Sequence, residues 1–184
     1  SNPALKLAIP SSVTQIGTFL FNGCKSLKTF SIPSGITSIP EGTFLKTGLK
    51  SITIPNNIVS IERWAFMECD SLASVTIPNS VTRIGDGAFT KCNRLTSIVI
   101  PNSVRSIGNQ IFQYYQNLVS VTILDGVQTI GYSAFSYCSS LQSVALPGSV
   151  TSIGEFAFLR CSSLSSITIL NSLTSLGDFV FMDT

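Results

Sequence analysis

The feature that most constrains this chain is an internal repeat of about 23 residues. The segment from Ser74 to Cys92 recurs with small changes along all 184 residues, so that eight copies can be aligned. The copies open on a Leu, with Ala4 in its place in the first copy, and successive openings lie one repeat apart: Leu27, Leu49, Leu72, Leu95, Leu118, Leu141 and Leu164. A Phe recurs in all eight copies: Phe21, Phe44, Phe66, Phe89, Phe112, Phe135, Phe158 and Phe181. This periodicity predicts a stack of equivalent coils.

One repeat reads as a short strand followed by two corners. Leu72, Val75 and Ile77 follow an L-x-x-V-x-I pattern, in which the last two alternate, so they predict a strand with one buried face. The next residue is a Pro, which ends the strand because it has a fixed φ and no N–H to donate. A second apolar pair in an extended run leads to a corner at Gly85. The A-F-x-x-C spacing of residues 88–92 then predicts a short helical or 3₁₀ turn.

A single coil of this kind does not fold alone. Burying one large apolar side chain contributes roughly 1.5–3 kcal/mol, whereas ordering each residue costs about 1–2 kcal/mol of backbone entropy. Stacking the coils buries additional apolar side chains and so offsets the entropy cost. It also places the strands in a parallel sheet at about 4.8 Å spacing. We therefore expect one α/β-type repeat solenoid over residues 1–184, with a parallel β-sheet on one face and short helical or 3₁₀ turns opposite. Neither end shows a polar capping segment, which predicts a fragment of a longer protein or end-to-end self-association.

The five Cys residues share one position of the repeat, three residues after the Phe: Cys24, Cys69, Cys92, Cys138 and Cys161. This favours buried free thiols that pack as small apolar side chains. Disulfides and a metal site are the alternatives, but an odd number without C-x-x-C spacing favours neither. The second copy is one residue short near 46–48 and lacks the Cys, so we expect a local change in stacking there. Tyr115 replaces the Cys in the fifth copy and is expected to fill or distort the interior.

Composition argues against catalysis, cofactors and nucleic acid. The chain has no His, which removes the commonest general base and the commonest transition-metal ligand. A net charge of +2 with 11% charged residues provides no extended field for a nucleic-acid partner. No apolar run approaches the roughly 20 residues that cross a bilayer, so direct membrane insertion is not expected. Neither a nucleotide-binding nor a nucleophile motif occurs, and the nine carboxylates fall mostly at corners.

Candidate binding residues are those that the repeat leaves outside the core. They comprise a row of Thr on the outward face of the strands, two Lys at one position of adjacent copies, and two pairs of aromatic residues at shared positions. The set is Lys28, Lys50, Thr53, Thr76, Thr122, Tyr114, Tyr137, Phe156 and Phe179. Large rigid side chains dominate interface energetics. The alternative is purely structural, because small β-branched residues suit any parallel sheet and the aromatic residues could pack laterally around the turns.

The repeat, written L-x-x-I-x-I-P-x-S-V-T-x-I-G-x-x-A-F-x-x-C, resembles the BspA-like class of leucine-rich repeats over essentially the whole chain. That class is known from surface antigens of bacteria and of some protozoan parasites. The resemblance implies a curved leucine-rich repeat right-handed superhelix, an extracellular or cell-surface location, and adhesion or binding of host proteins. We therefore expect a non-catalytic module that binds a protein or glycan. The alternative is a structural spacer that projects another domain of a longer surface protein.

Overall fold

The computed structural model describes residues 7–184, so the position of Ala4 lies outside the described residues. The chain forms a parallel β-solenoid in which six coils carry two short strands each. Coils are numbered by repeat, so that coils 2 to 8 begin at residues 27, 49, 72, 95, 118, 141 and 164. The first strands are β2 (Ser51–Thr53), β4 (Ser74–Thr76), β6 (Ser97–Ile100), β8 (Ser120–Ile123), β10 (Ser143–Ala145) and β12 (Ser166–Thr168). The second strands are β1 (Ser38–Ile39), β3 (Ser60–Ile61), β5 (Arg83–Ile84), β7 (Ser106–Ile107), β9 (Thr129–Ile130), β11 (Ser152–Ile153) and β13 (Ser175–Leu176).

Every strand pairs in parallel with the strand one repeat away. The first strands form sheets in the orders β2-β4 and β6-β8-β10-β12, and the second strands form β1-β3-β5 and β7-β9-β11-β13. Ser51 aligns with Ser74, and Thr122 aligns with Ala145. Since side chains alternate with period two, this in-phase register places the apolar residues of adjacent strands on the same face. The predicted parallel sheet is confirmed, and the extended run after the Pro forms a second parallel sheet.

The core is one apolar cluster that runs through the coils. The repeat Phe rings stack on one another with centroid separations of 5.2 to 6.2 Å, from Phe21 through every copy to Phe181. The predicted spine of side chains from equivalent positions is therefore confirmed. The short coil 2 forms only its second strand among the described residues, but Phe44 keeps its place in the stack, 5.2 Å from Phe66.

The prediction of helical or 3₁₀ turns opposite the sheet is wrong, because no helix forms within residues 7–184. Each coil instead makes consecutive turns. Successive backbone N–H groups in these turns donate alternately to a carbonyl of their own coil and to a carbonyl of the next coil. Met67 N donates to Trp64 O at 3.1 Å, whereas Phe66 N donates to Ala88 O of coil 4 at 2.8 Å. A helix would direct all of these N–H groups along its own axis and leave carbonyls of the neighbouring coil without donors. Hydrogen bonding between coils therefore displaces the helical turn.

These turns hold two residues per coil in the left-handed backbone region. In coil 3 they are Trp64, with φ of 57°, and Glu68, with φ of 56°. A left-handed third residue is the mark of a type II turn, which normally takes Gly there. Glycine fills the first of these positions only in coils 2 and 4, as Gly42 and Gly87. The other coils use larger side chains, each at a cost of about 1 kcal/mol.

The Gly at the end of the second strand permits close approach of backbones and does not adopt a left-handed conformation. A Cβ on Gly85 would lie 2.5 Å from the backbone nitrogen of Arg63 in the preceding coil. A Cβ on Gly154 would lie 2.8 Å from backbone atoms of Gly131 and Tyr132. At Gly85 and Gly154 glycine is therefore required, because an added Cβ would prevent adjacent coils from packing backbone against backbone.

The Cys position forms a ladder of hydrogen-bond donors inside the core. The thiols of four coils donate to the Phe carbonyl of the preceding coil at 3.0 to 3.2 Å, and the residues are Cys69, Cys92, Cys138 and Cys161. Coil 2 places a buried Thr47 at this position, with its hydroxyl 3.3 Å from the sulfur of Cys69. All five Cys residues are free, as predicted, but Cys24 is only half-buried, whereas the other four are buried. Burial raises the pKa of the Cys92 and Cys138 thiols well above the ordinary value.

Tyr115 occupies the Cys position in coil 5 and, with a larger side chain, also donates to the Phe carbonyl of the preceding coil. Its hydroxyl donates to the carbonyl of Phe89 at 2.6 Å, and the residue is fully buried. Burial raises the pKa of this hydroxyl well above the ordinary value. The step from Phe89 to Phe112 is the widest in the ring stack, at 6.2 Å. Tyr115 thus fills the interior and replaces the thiol donor, while the stack opens slightly around it.

Candidate binding surface

The predicted Thr row lies on the exposed side of the first strands. Thr53 aligns with Thr76, and Thr122 lies between Val99 and Ala145. All three Thr side chains are exposed. The row offers a flat surface of small side chains, with Val99 as its largest exposed apolar group.

The two predicted Lys residues lie in adjacent coils but do not act as a free basic pair. Lys50 N donates to Lys28 O at 3.1 Å, which confirms their shared position. The ammonium of Lys28, however, donates to the carbonyl of Lys25 at 2.7 Å. Lys28 therefore stabilises its own turn, and Lys50 is the exposed cation of the two.

The predicted aromatic pairs stack as expected but belong to two different positions of the turn segment. The rings of Tyr114 and Tyr137 are 4.8 Å apart, and those of Phe156 and Phe179 are 5.4 Å apart. No ring contact joins the two pairs within residues 7–184. The edge of Tyr132 packs against Phe156, 5.8 Å between centroids. The four aromatic residues therefore do not form one patch.

The Phe156 position is a packing position in the other coils as well. Trp64 occupies it in coil 3 and lies over Gly87 of coil 4, where an added Cβ would come within 2.7 Å of the indole. The guanidinium of Arg63 stacks over the same indole at 3.8 Å. This supports the structural alternative for Phe156 and Phe179.

The Tyr114 position, by contrast, forms a continuous ladder of charged and aromatic side chains on the surface. We call it the side ladder, and it consists of Lys46, Glu68, Lys91, Tyr114, Tyr137, Arg160 and Asp183. Lys46 and Lys91 lie 3.5 and 3.9 Å from the carboxylate of Glu68. The Lys91 ammonium is 5.5 Å from the Tyr114 ring centroid. Every member therefore contacts the next coil's member.

The C-terminal part of the side ladder ends in an ion pair. The Arg160 guanidinium lies 5.5 Å from the Tyr137 ring centroid, and its Nε donates to Asp183 Oδ2 at 3.2 Å. Arg160 and Asp183 were not predicted as site residues. They follow Tyr137 by one and by two repeats, and this shared position was a signal that could have identified them.

Each member of the side ladder lies at a left-handed turn and is exposed or half-buried. All seven members have positive φ, from 55° to 65°. A residue in this conformation lies at a tight turn. This geometry alone does not expose a side chain, because Ser133 is also left-handed and is buried. At Tyr137 the side chain is half-buried, whereas the residues before and after it, Ser136 and Cys138, are buried.

A groove of about 460 Å³ runs beside the C-terminal half of the side ladder. It is lined by Tyr114, Gln116, Tyr137, Ser139, Arg160, Ser162 and Asp183. These residues come from four consecutive coils and provide hydroxyl, amide, guanidinium and carboxylate groups. Such a set can bind and orient a ligand through hydrogen bonds.

The described residues contain no cluster of three metal-ligating side chains. Residues 7–184 also include no helix that is both long and apolar enough to span a membrane.

Comparison with known proteins identifies the repeat. The BspA type leucine rich repeat region matches in six copies, over residues 3–118 and 82–184. No curated protein sequence matches the chain.

Several solved structures share the solenoid. The chain is 30% identical to a leucine-rich repeat protein from Bacteroides ovatus, with a TM-score of 0.60 over 95% of this chain and 57% of that chain. It is 28% identical to the T. pallidum leucine rich repeat protein, with a TM-score of 0.71 over 95% and 74% of the two chains. It is also 28% identical to a leucine rich cell surface protein from Faecalibacterium prausnitzii, with a TM-score of 0.57 over 92% and 58%.

The chain spans less than two thirds of the length of the Bacteroides and Faecalibacterium proteins. Its own repeats, however, match the family along essentially their whole extent, and the solenoid is the same. The chain therefore belongs to the BspA-type leucine-rich repeat family.

Proposed function

We propose that this chain is a non-catalytic recognition module of a cell-surface or secreted protein, and that it binds a protein or glycan through the side ladder. The groove along Tyr114, Tyr137, Arg160 and Asp183 is the observation that carries the proposal. A surface location is supported by family membership and by the likeness to a protein described as a cell surface protein. A role in adhesion or host interaction fits this location.

The side ladder suits recognition better than the sheet does. Tyr and Arg are enriched among residues that dominate binding energy, whereas Thr is under-represented. The ladder residues also hold one another in place, since Tyr114 stacks on Tyr137 and Arg160 pairs with Asp183. A preorganised surface loses less side-chain entropy on binding.

The test compares three multiple variants of the purified chain. The ladder variant is Tyr114→Ala/Tyr137→Ala/Arg160→Ala, the sheet variant is Thr53→Ala/Thr76→Ala/Thr122→Ala, and the lysine variant is Lys28→Ala/Lys50→Ala. Binding to a panel of purified extracellular matrix proteins and glycans is measured by surface plasmon resonance. We expect the ladder variant to weaken binding at least tenfold and the other two to stay within twofold. A larger loss of affinity in the sheet variant or the lysine variant would assign recognition to the residues replaced in that variant and not to the side ladder.

The second candidate function is a structural spacer, supported by the unbroken stack of Phe rings, which stiffens the solenoid along its length. It predicts that the wild-type chain binds no member of the panel. Deleting two whole repeats from the full-length protein would then shorten the distance between its flanking parts without changing any affinity.

A further inference from the structure

We propose that the groove beside the side ladder binds a neutral oligosaccharide that lies along the axis of the solenoid. This inference rests on the proposed function and names the ligand of the same surface. It follows from the hydrogen-bonding groups of the groove, its charge, the faces of its aromatic rings, and its length.

The groove offers both hydrogen-bond donors and hydrogen-bond acceptors, and sugar hydroxyls need both. Among the described residues, the Arg160 guanidinium forms a hydrogen bond only through Nε, so four of its five N–H groups are left to donate. Asp183 uses Oδ2 for Arg160 and retains Oδ1 as an acceptor. The Gln116 amide and the Ser139 and Ser162 hydroxyls line the same space. A sugar hydroxyl both donates and accepts, so it can satisfy both kinds of group at once.

The charge of the groove favours a neutral ligand over an acidic one. Its two charged residues, Arg160 and Asp183, are of opposite sign and form an ion pair at 3.2 Å. The nearest cation of the side ladder, Lys91, already lies 3.9 Å from a carboxylate oxygen of Glu68. A carboxylate or phosphate placed against Arg160 would therefore also meet the like charge of Asp183.

The arrangement of the rings disfavours a ligand that inserts a flat aromatic group. Tyr114 and Tyr137 cover each other at 4.8 Å, and their outer faces are occupied by the Lys91 ammonium and the Arg160 guanidinium, each at 5.5 Å. What remains for a ligand is the ring edges and the two phenol hydroxyls. Ring edges carry partial positive charge and suit contact with oxygen atoms.

The groove is long enough for a short oligosaccharide. Its lining residues come from four consecutive coils, from Tyr114 in coil 5 to Asp183 in coil 8. With coils spaced about 4.8 Å apart, this gives a length of roughly 14 Å, close to that of three pyranose rings. We therefore expect affinity to increase from a disaccharide to a tetrasaccharide.

The experiment is calorimetric titration of the purified chain with four neutral tetrasaccharides: maltotetraose, cellotetraose, mannotetraose and xylotetraose. Tetragalacturonate serves as the acidic counterpart. We expect at least one neutral probe to bind with a Kd of about 0.1–1 mM, which corresponds to an open groove with few charged contacts. The corresponding disaccharide should bind at least fivefold more weakly. Absence of binding by all four neutral probes at 5 mM, or tighter binding of tetragalacturonate, would overturn the inference.

Two variants locate the bound sugar. Tyr137→Phe removes one hydroxyl from the groove and should weaken binding about threefold to tenfold, since one hydrogen bond is lost. Tyr132→Phe is the matched control, because Tyr132 is exposed but does not line the groove. Equal affinities of these two variants would refute binding in the groove.

The outcomes also separate this inference from the proposed function. If every sugar fails but a purified protein binds and the ladder variant abolishes that binding, the side ladder is a recognition surface for a protein and only the ligand class is wrong. If neither sugars nor proteins bind, both proposals are wrong.

Discussion

Replacing Tyr115 by Cys, the residue that five other coils carry at this position, should destabilise the protein strongly. Tyr115 is fully buried, and its ring lies 5.9 Å from Phe112 in an edge-on contact. The substitution leaves a cavity of roughly 80 Å³, which costs about 2 kcal/mol at ~24 cal/mol per Å³. Loss of the transfer energy of the removed ring atoms adds about 1–2 kcal/mol. We expect the free energy of unfolding to fall by about 3–4 kcal/mol.

Tyr115→Phe is the matched control for this change. It keeps the ring and removes only the hydroxyl that donates to Phe89 O at 2.6 Å. That carbonyl still accepts from Cys92 N at 3.3 Å, so the expected cost is about 1–1.5 kcal/mol. Urea denaturation, followed by circular dichroism and by the fluorescence of Trp64, measures both variants. A Tyr115→Cys protein that is as stable as Tyr115→Phe would refute the reasoning, because it would show that the position tolerates the repeat residue without a cavity.

Three further predictions follow from backbone geometry and burial. Gln110→Gly should raise the free energy of unfolding by about 0.5–1 kcal/mol, because Gln110 is exposed and left-handed, with φ of 55°; Gln110→Ala should show no such gain in urea denaturation. Gly154→Ala should cost more than about 2 kcal/mol, since its Cβ would lie 2.8 Å from backbone atoms of the preceding coil. Gly17→Ala, at the same repeat position with no atom within 4 Å, should be neutral within about 0.5 kcal/mol, and equal effects in thermal unfolding would contradict the packing argument. Stability should also fall as pH rises above about 8.5, where the thiols of the unfolded chain ionise while Cys92 and Cys138, whose pKa values are raised by burial, stay protonated in the folded state. The pKa of the Cys69 thiol is lowered by its hydrogen bond with Cys92, and this contributes in the opposite direction. We expect the two raised groups to outweigh it, so an unchanged urea midpoint between pH 7.5 and 10 would contradict the prediction.

The repeat period was sufficient to predict which side chains become neighbours. Residues one repeat apart contact each other in the Phe stack, in the strand registers and in the Cys ladder. This works because a solenoid converts each repeat along the chain into one step along its axis. The same rule placed Tyr114 beside Tyr137 and Thr53 beside Thr76.

The conformation of the turns was decided by tertiary structure. The A-F-x-x-C spacing favours a helical turn locally, but Phe66 N finds its acceptor on Ala88 in the next coil. Local periodicity carries no information about such a partner, because the competing hydrogen bond exists only once the coils have stacked. The left-handed turns that result bring Arg160 and Asp183 out beside the tyrosines. The sequence by itself thus determined the stacked coils and their core, and the contacts between coils decided the backbone of the turns and the surface that we propose for recognition.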